Sequence, residues 1–184
     1  MRSEALTSEL SGREVQHFGV VRPAALALGE NARTASVAGL NQALADTISL
    51  RDLYKKHHWQ VSGPTFHQLH LLFDKHQAEQ SELIDAIAER VQALGGVAIA
   101  ISHDVAETTR LARAPKGREA PCDQLRRLLA AHELVLAEAH EFARAAAEDG
   151  DDGTNDLLVS QLIRTNEAQS WFVAEHLDGS GERA

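Results

Sequence analysis

The sequence predicts an all-α protein: four long helices in a bundle, with a short extra helix in a long middle connection. Three observations carry this. Apolar residues recur at helical spacing over four long stretches. The apolar set makes up 43% of 184 residues and is dominated by Ala and Leu, while aromatics are only 4%, a balance that favours helix over sheet. Gly-Pro and Gly-Gly breaks end two of the stretches.

Residues 1–36 hold Gly12, Gly19, Pro23 and Gly29 and no sustained periodicity, so they read as a mobile N-terminal tail. The domain follows at 37–178, with a short C-terminal tail at 179–184. The first helix runs from Val37 to about Val61 on Leu40, Leu44, Ile48, Leu53 and Tyr54, and stops at Gly63-Pro64. Thr65 reads as an N-cap, and Gln68 completes a capping-box pattern. The second helix spans about Phe66 to Leu94 and ends at Gly95-Gly96. Residues 97–120 form a long connection with a short helix near 105–112. The third helix, about 122–147, turns Leu125, Leu128, Leu129, Val135, Leu136 and Phe142 inward. An acidic loop, "EDGDDGTND", precedes the fourth helix at about 155–177, which carries Leu158, Leu162, Ile163, Trp171 and Phe172. Four long helices with one long crossover make a ferritin-like bundle.

The net charge of −9 should repel nucleic acid and attract cations. A single cysteine, Cys122, excludes an internal disulfide and fits a reducing, cytoplasmic setting; it reads as inert packing at a helix start. The early apolar run "VVRPAALAL" is cut by Arg22 and Pro23, so no signal peptide is expected. No apolar run approaches membrane-spanning length, and no membrane association is expected.

Histidines carry the chemistry. "KKHHWQVSGPTFHQLH", residues 55–70, contains His57, His58, His67 and His70. The second helix continues with Asp74, Gln77, Ser81, Asp85 and Glu89, all on one face with His70. Such a stripe is either a solvated face or a ligand face. His70 and Asp85 lie roughly 22 Å apart along one straight helix, too far to share a metal. An antiparallel pair of these helices about a two-fold axis brings His70 of one chain near Asp85 and Glu89 of the other, and gives two identical sites. His58 can fold over the break to join His70. Two imidazoles and two carboxylates suit Fe(II), Zn(II) or Mn(II). His57, His67 and His76 lie outside this pattern and are expected at the surface. His103, His132, His140 and His176 show no ligand spacing with one another.

These stretches resemble the Dps family, the DNA-protection-during-starvation mini-ferritins. The resemblance rests on "HWQVSGPTFHQLHLLFD" followed by "DAIAERVQALGG", and extends more weakly over residues 37–177, including "DDGTNDLL" and "WFVAEHL". It implies a homo-oligomer, a hollow dodecamer that oxidises Fe(II) with peroxide, or with dioxygen, and stores Fe(III) mineral. It implies a ferroxidase site between two-fold-related chains: His58, His70 and Asp74 from one chain, Asp85 and Glu89 from its mate. Asp74 is either a ligand or the residue that orients His58 or His70. Trp59 falls beside that site, as an interface ring or as an oxidisable one. Arg90 falls on an arginine that partners carboxylates. Asp151, Asp152 and Asp156 fall where the family places a three-fold iron-entry pore, with Gly153 where another acid is expected; a solvated turn with an acidic helix start is the plainer reading.

Two rival functions follow from other features. A DNA-compacting protein needs clustered positive charge. Here the tail sets Arg2, Arg13, Arg22 and Arg33 against Glu4, Glu9, Glu14 and Glu30 and has no lysine, so direct DNA binding at physiological salt is not expected. An intrachain di-iron enzyme needs Glu-x-x-His on bundle helices. Glu14–His17 is the one such motif, and it lies in the tail.

Overall fold

In the computed structural model, which describes residues 12–178, the chain folds as a helical bundle. Helix α1 (Glu30–Gln60) turns back through a short connection into α2 (Phe66–Ala93), against which it packs along its length. A long crossover containing α3 (Ser102–Thr108) leads to α4 (Pro121–Glu148). The last helix is continuous: α5 (Asp152–Leu157), a π-helical turn (Leu158–Ile163) and α6 (Arg164–Asp178).

Helix α1 begins at Glu30 rather than Val37, because Ala32, Arg33 and Ser36 pack inward although none reads as a core residue. Arg33 Nη1 donates to the Arg22 carbonyl at 2.6 Å and the Leu94 carbonyl at 3.0 Å. The preceding segment docks on the end of α2: Arg22 N–H and Gln16 Nε2 both donate to the Gly95 carbonyl at 2.9 Å. Residues 1–11 and 179–184, which hold the ends of the expected tails, lie outside the described residues.

The helix ends follow local chemistry. Gly95 sits at φ +89° and closes α2 with paired bonds, Gly95 N–H to Gln92 O and Gly96 N–H to Val91 O. Gly150 ends α4 in the same way. Pro121 starts α4, where its missing N–H costs nothing. The capping box expected at Thr65 does not form. Thr65 lies at φ −94°, ψ 11°, not in the extended conformation that aims a side chain at the helix N–H groups, and it makes no side-chain cap bond. The short helix occupies 102–108 rather than 105–112. Its flanks are held to α1: Asn41 bonds the Val97 carbonyl and Ile99 N–H, and Asp46 Oδ1 accepts from Thr109 Oγ1 and Arg110 N–H at 2.7 Å.

The π turn answers to burial. Thr154, Leu158, Leu162 and Asn166 are all buried, at successive steps of four. Three such steps drift about 120° around an ideal α-helix. A wider turn keeps them on one side.

The core is drawn from all the long helices, with Leu44, Leu50, Phe73, Leu94, Leu128 and Leu158 fully buried. Burying each such side chain contributes about 1.5–3 kcal/mol. Through this core runs a line of polar groups: Tyr54, His76, Gln80, His132, Asn166 and Gln169 are all within 1% of complete burial.

Candidate metal centre

His58 closes the last turn of α1, and His70 lies in the first turns of α2. The Ser62–Thr65 turn folds one over the other. Their rings stack with centroids 3.8 Å apart and planes 21° apart. His58 Nδ1 lies 2.9 Å from the His70 carbonyl, and His70 Nδ1 lies 2.9 Å from the His58 carbonyl. A carbonyl only accepts, so each Nδ1 carries the proton. That leaves Nε2 of each ring as the nitrogen through which imidazole can bind a metal.

Asp74 stands beside this pair, its Oδ1 3.8 Å from His58 Nδ1 and 3.0 Å from Lys55 Nζ. The Lys55 hydrogen bond and charge hold its carboxyl below the ordinary range. Asp74 is half exposed and presents an ionised oxygen to the same surface as the stacked rings. Trp59, next to His58 in the chain, Leu71, next to His70, and Phe66 are all exposed. Phe66 lies 5.1 Å from the His70 ring.

Asp85 and Glu89 lie three to five turns further along α2, both exposed and, among the described residues, without an intrachain hydrogen bond or ion pair. Asp74 and Asp85 are roughly 16 Å apart by helix rise. The structure thus brings His58, His70 and Asp74 together and leaves Asp85 and Glu89 apart from them. Among the described residues, no three His, Cys, Asp or Glu side chains of one chain are placed to hold a metal ion.

Two of the flanking histidines differ from expectation. His67 is exposed, but His57 and His76 are fully buried. His57 packs against Phe73, and neither of its ring nitrogens has a partner. Burial pushes it down to about 4, with the Lys56 charge adding to the shift. His76 belongs to the polar line in the core, where burial likewise pushes it down to about 4. Periodicity carries the signal that places it: Leu69, Phe73, His76, Gln80, Leu83, Ile87 and Val91 form one buried stripe on α2.

The acidic loop divides. Asp151 is buried, contrary to a role facing an open pore. It caps α5 by accepting from Thr154 N–H at 3.0 Å and pairs with Arg90 Nη2 at 2.5 Å. Burial alone would raise its pKa, but hydrogen bonds from Ser36 and Thr154 and the Arg90 charge hold it below the ordinary range. A Cβ on Gly153 would sit 2.9 Å from Arg90 Nη2, so the glycine leaves room for this guanidinium. Asp152 and Asp156 remain exposed.

Comparison with known proteins agrees with this architecture. A family model described as a ferritin-like domain matches residues 37–180. DpsC from Streptomyces coelicolor is 57% identical, with a TM-score of 0.89 over 90% of this chain and 96% of that one. An uncharacterized protein of Kitasatospora aureofaciens is 51% identical over 138 residues, 75% of this chain and 92% of the relative. The DNA protection during starvation protein of Agrobacterium fabrum is 31% identical over 150 residues, 82% of this chain and 92% of the relative.

Proposed function

Because this chain belongs to the Dps family of ferritin-like proteins, we propose that it oxidises Fe(II) at sites shared between two-fold-related chains and stores the Fe(III) inside a dodecamer. The observation that carries this reading is the stacked His58–His70 pair, with each Nδ1 held by a backbone carbonyl and each Nε2 left for a metal. Half a ligand set stands at one end of α2, and two exposed carboxylates stand at the other. Antiparallel pairing of two chains joins the halves, and the apolar rim of Trp59, Phe66 and Leu71 gives that pairing surface to bury.

The substrate is iron, and zinc or manganese fit the same donors. His58 and His70 hold Fe(II) through nitrogen. Asp85 and Glu89 of the facing chain favour Fe(III), because anionic oxygens gain more from the higher charge. Asp74, kept ionised by Lys55, adds an oxygen ligand or orients His58. Hydrogen peroxide, or dioxygen, takes the electrons. Consuming iron and peroxide together limits oxidative damage. Exposed Asp152 and Asp156 serve as the carboxylates of an ion-entry path.

The test is subunit complementation. His58→Ala and Asp85→Ala each remove a ligand from every site, and each should abolish fast Fe(II) oxidation. A mixed two-fold pair places both lesions in one site and leaves the other whole, so co-assembled mutants should regain part of the rate. No recovery in verified mixed assemblies would mean the ligands come from one chain.

DNA compaction is the second reading, prompted by the name of the Agrobacterium relative. Its electrostatic support weakens with Arg33 buried against the end of α2 and Arg22 bonded to the Val15 carbonyl.

A further inference from the structure

Tyr54 is the chain's one tyrosine, and it is completely buried. The hydrogen bonds around it fix every proton. Asn166 Nδ2 donates to the Leu162 carbonyl at 2.8 Å, so Asn166 Oδ1 is the atom facing His132 Nδ1 at 2.9 Å. An amide oxygen only accepts, so His132 carries its proton on Nδ1 and its Nε2 is a bare lone pair. That lone pair lies 2.5 Å from the Tyr54 hydroxyl, which therefore donates to it. On the other side His76 Nδ1 donates to the Tyr54 oxygen at 3.1 Å. The order runs one way, from His76 through Tyr54 to His132. Burial pushes His132 down to about 4, so at neutral pH it is an unprotonated base. Burial also holds the Tyr54 phenol well above its ordinary range, with the Glu79 charge acting in the same sense.

A buried phenol cannot ionise alone, but it can lose an electron if its proton leaves at the same time. We propose that Tyr54 is a proton-coupled electron donor that quenches one-electron oxidants of the hydroxyl-radical class, with His132 Nε2 as the proton acceptor. Tyr54 gives one electron to the oxidant, and hydroxyl radical becomes hydroxide. The phenolic O–H bond breaks and an N–H bond forms on His132, leaving a neutral phenoxyl beside an imidazolium. One electron from Fe(II), which becomes Fe(III), and the same proton returned from His132 restore the phenol.

Packed rings lead outward from this pair. The His76 ring meets Tyr54 edge-on at 5.2 Å, Phe172 lies 6.2 Å from His76, and Trp171 lies 5.0 Å from Phe172. Trp171 is 61% exposed, so an oxidant at that surface meets an indole first and draws its electron from Tyr54 through the rings.

The test needs no iron, so its failure is separable from failure of the iron-oxidation reading. The metal-free wild-type oligomer is oxidised with a photogenerated ruthenium(III) polypyridyl complex, frozen and examined by electron paramagnetic resonance. A neutral tyrosyl signal is expected, and with one tyrosine in the chain it has one source. It should vanish in Tyr54→Phe. In His132→Gln the amide oxygen can still accept the hydrogen bond but takes up no proton, and the tyrosyl yield should fall about tenfold or more. In wild type, radical formation should slow in heavy water. Tryptophanyl signals alone in wild type would overturn the proposal, as would an undiminished tyrosyl yield in folded His132→Gln. If that variant does not fold, equal rates in light and heavy water overturn it.

Discussion

His58 and His70 exchange hydrogen bonds, each Nδ1 donating to the other's backbone carbonyl at 2.9 Å while the rings lie face to face. Each ring is therefore oriented by the backbone of the helix opposite. The pair is set in place before a metal arrives, and ordering two flexible side chains is no part of the cost of binding.

Replacing His70 with Phe keeps a ring in the stack but removes one Nε2 ligand and one hydrogen bond to His58. Fast Fe(II) oxidation should fall about tenfold to a hundredfold, with helicity unchanged by circular dichroism. Stopped-flow absorbance after adding Fe(II) and peroxide reads this directly. An unaltered rate would remove His70 from the site.

Buried histidines set the acid limit of stability. His57, His76 and His132 each sit near 4 in the fold, against an ordinary value near 6.5. Between those values the unfolded chain binds protons that the folded chain refuses. Their stabilising share is complete above about pH 6.5 and is lost as pH falls towards 4, at about 1.4 kcal/mol per pH unit for each ring. Carboxylates held low, such as Asp151, act in a lower window. Thermal unfolding midpoints should decline through pH 6 and 5, and His132→Gln should flatten the decline. A midpoint independent of pH over that range would refute the assignment.

Arg90→Ala strips the buried Asp151 carboxylate of its charged partner. Arg90 keeps some exposure, so the cost should be about 2–3 kcal/mol, below that of a fully buried pair. A lowered thermal midpoint with local loss of amide protection at residues 151–157 is the expected result. Unchanged midpoints would show the pair to be dispensable.

Duplex DNA should not shift in a gel at physiological ionic strength and neutral pH. Each chain carries −9, and the repulsion acts over a Debye length near 8 Å under those conditions. A clear shift that disappears on deleting residues 1–11 would assign affinity to that segment.

The long helices were legible because Leu and Ala repeat at the helical period. The end of α2 was legible because Gly95 takes a left-handed conformation that other residues avoid. The site was half legible: spacing on α2 showed that His70 and Asp85 cannot meet in one chain, but no spacing rule gives a ring stack across a turn. What stayed hidden was burial of polar side chains. His76, Gln80, His132, Asn166 and Gln169 occupy core positions of their helices, and their periodicity says inside while their chemistry says outside. Their mutual hydrogen bonds decide in favour of periodicity, and those side-chain bonds join residues as far as 89 positions apart. Arg33 and Ser36 hid the first turns of α1 for the same reason.

The widened turn at Leu158–Ile163 also bears on how this chain can change length. A π turn is an α-helix that has taken in one residue. Removing one residue among Val159, Ser160 and Gln161, none of them buried, would return the segment to ordinary α geometry and leave Asn166 and Gln169 facing Gln80 and His132. The same deletion a few residues later, beyond the turn, would rotate everything that follows by about 100° and scatter those contacts. Single-residue gaps among descendants of this sequence should therefore collect at 159–161 and be absent from 164–173.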